Sequence, residues 1–298
     1  MYYYILQIYI PSQSTEWSFR PISTLQQKEL SKVLLINNNR QILHIFNQVI
    51  KECADPKHNI EELTIFDKVI VLLKLRCESI GDTIDLEIKK DDKKYDYAYS
   101  IESVYAKFVE AFKDTKNLTI KHSNIIIECG LPSIQDEDFI LNNINDLSIY
   151  DVINFCIKKI QINEQFIKLN KEEFNNIKNN LPAFLQKDIV EYIKTAFSSI
   201  QNIPIYSILD EEIKFSFNDI YLDYIKLLYK EDLYKIYQEI FLLTKSAKFT
   251  AEYVESMSPS ERQLYITFLV QESQPPSSAS AEQVNDVPYD SFMQQMGG

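Results

Sequence analysis

LTIFDKVIVLLKLRCESIGD, residues 63–82, reads as one helix with both ends marked. Thr64 and Asp67 stand at capping-box spacing, and Phe66, Val69, Ile70 and Leu73 form an apolar stripe at helical period. Gly81 is placed to stop the helix. Arg76 sits near that end, where a cation complements the helix dipole. Glu78, Asp82 or Asp85 is the acid expected beside it, a partner-facing role being the other reading of the arginine.

Upstream, residues 2–10 and 16–20 read as two short strands around the turn-prone PSQST. STLQQKELSKVLL then begins a helix capped by Ser23 or Thr24, and helical pattern runs on to Cys53. Downstream, Ile84, Leu86 and Ile88 alternate, as do Tyr95, Tyr97, Tyr99 and Ile101, with the polar DDKK between them, which predicts a hairpin. SVYAKFVEAF follows as a short amphipathic helix, and LTIKHSNIIIECGLP as a second hairpin turning near Ser123-Asn124. From about residue 135 the pattern is helical: Ser148 caps a stripe running Ile149, Val152, Ile153, Cys156, Ile157 and Ile160. Asn179-Asn180 and the prolines at 182 and 204 mark breaks. The tyrosine-rich segment 219–243 is apolar on more than one side, so it is central in a bundle or shared with a partner.

The expected fold is therefore α+β and mainly helical. An N-terminal α+β domain covers 1–134 with hairpins at about 83–130, a helical domain covers 135–272, and 273–298 form a linker and terminal peptide. That last stretch is rich in Ser, Pro and Gln and carries acids but no Lys or Arg. Within it Tyr289, Phe292, Met293 and Met296 fall at helix-compatible spacing, which makes them candidate partner-binding residues.

Composition narrows the function. A chain of 298 residues with 45% hydrophobic residues can bury a real core, and a net charge of −12 disfavours a surface that tracks phosphates, so no nucleic-acid partner is expected. The opening MYYYILQIYI stops at Pro11, about half the length a membrane span needs, and reads as a strand; no membrane partner is expected. Four widely spaced cysteines fit reduced thiols better than a disulfide framework or zinc site, and four glycines leave no phosphate-cradling loop. Acid runs such as Asp136-Glu137-Asp138 and Asp210-Glu211-Glu212 read as solvated surface. His44 has no nucleophile motif beside it, and Cys53 with His58 lacks two further metal ligands. No catalytic, metal or cofactor-binding residue is expected, and the chain reads as a non-enzyme kept in a cytoplasm.

The stretch VESMSPSERQLYITFL, residues 254–269, holds a second marked helix start. Ser258 can cap, Pro259 fits the first helical position, and Glu261 can reach back to the cap's N–H. Arg262 lies in that first turn, where the dipole disfavours a cation, so it calls for a compensating acid, with Glu255 the candidate, or for an interface role.

Three stretches together resemble one family, the baseplate hub assembly proteins of T-even-type contractile-tailed phages. IPSQSTEWSFRPISTLQQKEL is similar to the family's entry, and LTIFDKVIVLLKLRCESIGD to its Leu-Arg-x-x-Ser-x-Gly helix end, with Arg76, Ser79 and Gly81 in the matching places. YVESMSPSERQLYITFL is similar to its C-terminal signature, carried by Glu255, Met257, Pro259, Glu261 and Arg262. The resemblance spans roughly residues 3–270. It implies a protein that builds the tail hub as subunit or assembly factor, with hub or tape-measure proteins as partners and homo-oligomers left open. Its places would be the host cytoplasm during assembly and the baseplate of the particle. Some members carry a Cys-x-x-Cys knuckle in the middle β region; none stands between 83 and 134, which puts an inherited zinc site in doubt. A helical adaptor unrelated to phage tails and an uncharacterised hydrolase are the competing readings.

Overall fold

The computed structural model describes residues 6–90, 93–112, 118–143, 146–162, 165–166, 176, 180–200, 203–208, 211–215 and 221–273. The candidate tail residues Tyr289, Phe292, Met293 and Met296 lie outside these. The chain is mainly helical with small antiparallel sheets, as expected.

Strands β1 (Leu6–Ile10) and β2 (Thr15–Phe19) pair with Ile8 opposite Trp17, and the alternation turns Leu6, Ile8, Ile10, Trp17 and Phe19 inward. Helix α1 (Thr24–Ile36) starts at Ser23 with a complete capping box to Gln26, and α2 (Asn39–Cys53) follows after Asn37 in the left-handed conformation. Helix α3 (Ile65–Ser79) begins at the expected Thr64–Asp67 box. Its apolar residues are buried on every side rather than along one stripe, which makes it the axis of the molecule.

The first predicted hairpin is β3 (Thr83–Lys90) with β4 (Lys93–Ser100), Ile84 opposite Tyr99 and Leu86 opposite Tyr97. Helix α4 (Ile101–Phe112) crosses back over α3. The second hairpin, β5 (Leu118–His122) with β6 (Ile125–Cys129), turns at Ser123 with φ of 52°.

After α5 (Glu137–Asn143), α6 (Ile149–Cys156) ends earlier than the apolar stripe suggests. Ile157–Ile162 is strand β7, and with β8 (Gln165–Phe166) it extends the hairpin to a four-stranded sheet ordered β5-β6-β7-β8. The helical period carried through Ile160 is thus corrected. The open edge of β6 offers unpaired backbone groups to the β-branched run IKKIQI, and Ile160 packs opposite Ile127 with Ile157 opposite Cys129.

Helix α7 (Ala183–Ile200) covers this sheet, and a further unforeseen hairpin joins β9 (Pro204–Ile208) to β10 (Glu211–Lys214). The tyrosine-rich segment is two helices, α8 (Tyr221–Leu228) and α9 (Leu233–Ser246), because Asp232 accepts from Tyr234 N at 2.9 Å and caps a fresh start. Helices α10 (Ala251–Ser256) and α11 (Pro259–Ser273) close the described chain. No helix among the described residues is long and apolar enough to cross a membrane.

Among the described residues, buried apolar side chains gather in three clusters. The largest runs from β1 through α4 and takes in Phe215, Tyr221, Tyr224 and Tyr229, so it draws on residues from both sides of position 134. A second lies between the β5–β7 sheet and α7, and a third binds α9, α10 and α11 around Leu243 and Ile266. Polar side chains tie the helices of the third cluster to α1, Arg262 to Thr24 and Gln27 and Glu255 to Lys28.

Candidate functional site

At the end of α3 the Arg76 guanidinium is turned inward. Its Nε donates to the Leu228 carbonyl at 2.9 Å, Nη1 to the Gly81 carbonyl at 2.5 Å, and Nη2 to Glu231 Oε1 at 3.1 Å. None of the three acids nearest in sequence is the partner, which corrects that expectation: Glu78 is two residues on, does not share a helix face with Arg76, and pairs with Lys74 instead. Burial pushes the Arg76 pKa down and the Glu231 carboxyl up, in each case against the pull of the other's charge. Gly81, at φ of 149°, lets the chain leave the helix with its carbonyl facing back to Arg76. Ser79 Oγ accepts from Ile22 N at 2.9 Å and so fastens the segment that leads into α1. Asp67, buried at the other end of α3, accepts from Thr64 N at 2.8 Å and Ser12 N at 3.2 Å, tying the β1–β2 turn to the helix start.

The second marked motif builds a similar junction. The Met257 carbonyl accepts from Thr24 N at 2.7 Å while the Met257 side chain is fully buried. Pro259 opens α11, and Ser258 Oγ accepts from Glu261 N at 3.2 Å; the reciprocal bond from the Ser258 N–H to the Glu261 carboxylate is not formed among the described contacts. Arg262 Nε donates to Glu239 Oε2 at 2.8 Å, Nη1 to Thr24 Oγ1 at 2.8 Å and Nη2 to Gln27 Oε1 at 3.0 Å. Gln263 donates to the other Glu239 oxygen at 2.5 Å. The expected acid, Glu255, pairs with Lys28 of α1, so Arg262 finds its counter-charge on α9. Each nitrogen of the guanidinium thus has its own acceptor, and one side chain joins α11, α9 and α1.

These junctions are neighbours. Arg76, Glu231, Glu239, Pro259 and Arg262 line one cavity of about 210 Å³, so residues from the two sequence motifs converge at the seam between α3, α9 and α11. A third buried pair lies elsewhere along α3, where Lys68 donates to both Glu137 oxygens at 2.9 and 2.7 Å and Tyr221 Oη donates to the same carboxylate. Burial lowers the Lys68 amine and lifts Tyr221 well above its usual value. Sequence reading missed Glu239, Glu231, Gln27, Lys28 and Lys68, and it took Thr24 only as a possible cap; Glu137, read with its acid run as solvated surface, is instead 1% exposed, because Lys68 and Tyr221 satisfy its carboxylate inside the fold. Glu239 was signalled by its place on the apolar face Ile236, Glu239, Ile240, Leu243, and Lys68 by its place directly before the uninterrupted apolar run Val69–Leu73.

Other candidate groups have local roles. His58 Nε2 accepts from Ser18 N at 3.3 Å and its ring stacks on Trp17 at 4.6 Å. Cys53 and Cys77 are free thiols pushed up to about 12 by burial. A groove of about 610 Å³ runs between α1 and α2 past Val33, Ile36, Arg40 and His44, away from the arginine seam. Among the described residues no three His, Cys, Asp or Glu side chains gather in a way that could hold a metal ion.

The chemistry of the seam is mechanical. Its charged groups are spent on one another, and they fix where α9 and α11 sit on α1 and α3. The opposite face of α9 is bare: Tyr234, Tyr237 and Phe241 are 70%, 44% and 63% exposed, at spacings of three and four residues that put them on one side of the helix. Leu264 and Phe268 of α11 are about half exposed.

A family model described as T4 bacteriophage base plate protein matches residues 1–207. No curated protein and no solved structure matches. The matched stretch holds Asp67, Arg76, Ser79 and Gly81, while Leu228, Glu231, Glu239 and the Glu255–Arg262 motif lie beyond it.

Proposed function

The chain belongs to the T4 bacteriophage base plate protein family, and from that premise we propose that it is a hub protein, or an assembly factor for the hub, of the contractile tail. It works through contacts with hub or tape-measure proteins and not by catalysis. Its places are the host cytoplasm while tails are built and the tail baseplate.

The observation that carries this reading is the pairing of a locked inner face with a bare outer one. Arg76–Glu231 and Arg262–Glu239 hold α9 in one orientation, and Tyr234, Tyr237 and Phe241 stand out from it. Exposed aromatics on a rigid support are the residues that most often anchor a protein interface, since they bury large area while losing little rotamer freedom. Leu264 and Phe268 extend the apolar area on the neighbouring helix.

Tyr234→Ser with Phe241→Ser, supplied during infection with the wild-type gene disabled, tests it. The double variant is expected to melt like the parent and to yield few infectious particles. Normal yields from a normally folded variant refute the interface. Mass spectrometry of purified particles then separates the two roles: a few copies per tail identify a subunit, and absence despite abundant expression identifies an assembly factor.

A further inference from the structure

We propose that the outer face of α9 is covered, before assembly, by the C-terminal segment of the same chain, residues 282–298. The inference takes from the functional reading only that this face is a contact surface, and it concerns the isolated protein.

Three observations carry it. The first is charge. The sole acid of α9, Glu239, is 1% exposed and spent on Arg262, and Lys235 lines the seam cavity beside Glu231, so the charge α9 shows on the side of the rings is Lys245. Lys245 lies 5.5 Å from the Phe241 ring, and Lys28 and Lys32 of α1 lie 5.6 and 5.9 Å from the Tyr237 ring. Lys248 is exposed just past the helix. The acids nearest in the chain are Glu231, held by Arg76, Asp232, which caps the far end, and Glu252 and Glu255 of α10, of which Glu255 is held by Lys28. A patch of rings edged by lysines is thus displayed by a protein whose net charge is −12. It suits an acidic ligand that also brings apolar side chains.

The second is the composition of residues 282–298. They carry Glu282, Asp286 and Asp290 with no Lys or Arg, and Tyr289, Phe292, Met293 and Met296 recur at helical spacing. Methionine thioethers pack favourably on aromatic rings, and acids interleaved with them would meet the lysine edges.

The third is reach. The described chain ends at Ser273, and Leu269 and Val270, one turn before, pack in the same apolar cluster as Ile236, Ile240 and Leu243 of α9. The described chain therefore ends on the helix next to α9, on the side of its inner face. Sixteen residues separate Ser273 from Tyr289, and a stretch of that length can bridge at most roughly 53 Å. That is more than twice the length of α11, since 15 residues at 1.5 Å rise make roughly 22 Å, so the far side of α9 is within reach. Attachment to the same chain supplies a local concentration on the order of a millimolar, enough for a weak contact to be populated and for a baseplate partner to displace it.

A photo-crosslinking amino acid placed at Phe241 in the full-length chain provides the test, using an equal mixture of unlabelled and ¹⁵N-labelled protein. The expected crosslinks join position 241 to peptides within 282–298, and both halves carry the same isotope. Crosslinks confined to other segments overturn the proposal, as do crosslinks that pair light with heavy chains, which would make the occupant a second copy. In the same assay Asp286→Lys with Asp290→Lys is expected to lower the yield about three- to tenfold, and added salt is expected to lower it as well. A yield indifferent to both removes the charge argument and with it the proposal. If tail crosslinks are absent while Tyr234→Ser with Phe241→Ser still blocks particle formation, the functional reading stands without this one.

Discussion

Replacing Glu239 by alanine leaves the Arg262 guanidinium buried without its counter-charge, a defect that costs about 3–5 kcal/mol in proteins generally. Glu255→Ala removes a partner from Lys28 at a site with more water, where about 1 kcal/mol or less is expected. Urea unfolding of both variants measures the contrast, and equal losses would show that Arg262 does not depend on Glu239. A second residue prediction concerns pH. Burial raises the Asp67 carboxyl above its ordinary 3.8 in spite of its bonds to Thr64 and Ser12. A carboxyl with a raised native pKa favours the fold while it is neutral, so its contribution is complete below pH of about 3.8 and is lost as pH climbs through the native value. Parent stability should therefore fall, relative to Asp67→Asn, as pH rises from about 4 toward 7, read from denaturation midpoints. Parallel curves would mean that Asp67 does not titrate there. At this scale the sequence flagged Arg76 and Arg262 as cations in need of acids but named the wrong acids. Neighbours in the chain are the only partners a local reading can see, and burial selected Glu231 from the α8–α9 connection and Glu239 from α9.

Helix ends were the most legible elements. Thr64, Ser23 and Ser148 all cap where their spacing indicates, because a cap is decided within four residues. At α11 the side chain of Ser258 holds Glu261 N while the Glu261 carboxylate leaves the cap N–H alone. Ser258→Ala is thus expected to cost about 1 kcal/mol and Glu261→Ala only a few tenths, by thermal melts of the two variants. A larger loss from Glu261→Ala would restore the full box. Strand β7 was illegible for the opposite reason. Ile153, Cys156, Ile157 and Ile160 satisfy a helical period, and only the presence of an unpaired β6 edge makes a strand the better use of Ile157–Ile162. The β9–β10 hairpin was hidden in the same way, with Pro204 read as a break although proline is tolerated as the first residue of a strand.

On the scale of the molecule, α3 is the shared axis. It belongs to the largest core together with Tyr221, Tyr224 and Tyr229, and Tyr229 Oη donates to the Leu72 carbonyl at 2.7 Å. Native-state hydrogen exchange should therefore protect the α3 amides most and the half-exposed β3–β4 ribbon least among regular elements. Fast exchange along α3 would deny its place as the axis. A chain cut after residue 207 keeps the family-matched stretch but loses Leu228 and Glu231, the inward partners of Arg76, and is expected to melt without a sharp transition. The mainly helical α+β class was readable from the two periodicities. The seam that joins the last helices to α3 was not, since its bonds cross 152 and 155 residues of chain.

That same distance has a meaning for synthesis. A ribosome that has released α3 must add more than 150 residues before the carbonyl and carboxylate that receive Arg76 emerge. At roughly 5–20 residues per second the wait is on the order of ten to thirty seconds. During that interval a greasy rod tipped with a cation that has only the Gly81 carbonyl for a partner is accessible to chaperones and to other nascent chains, so the yield of native protein should depend on translation speed across 83–228.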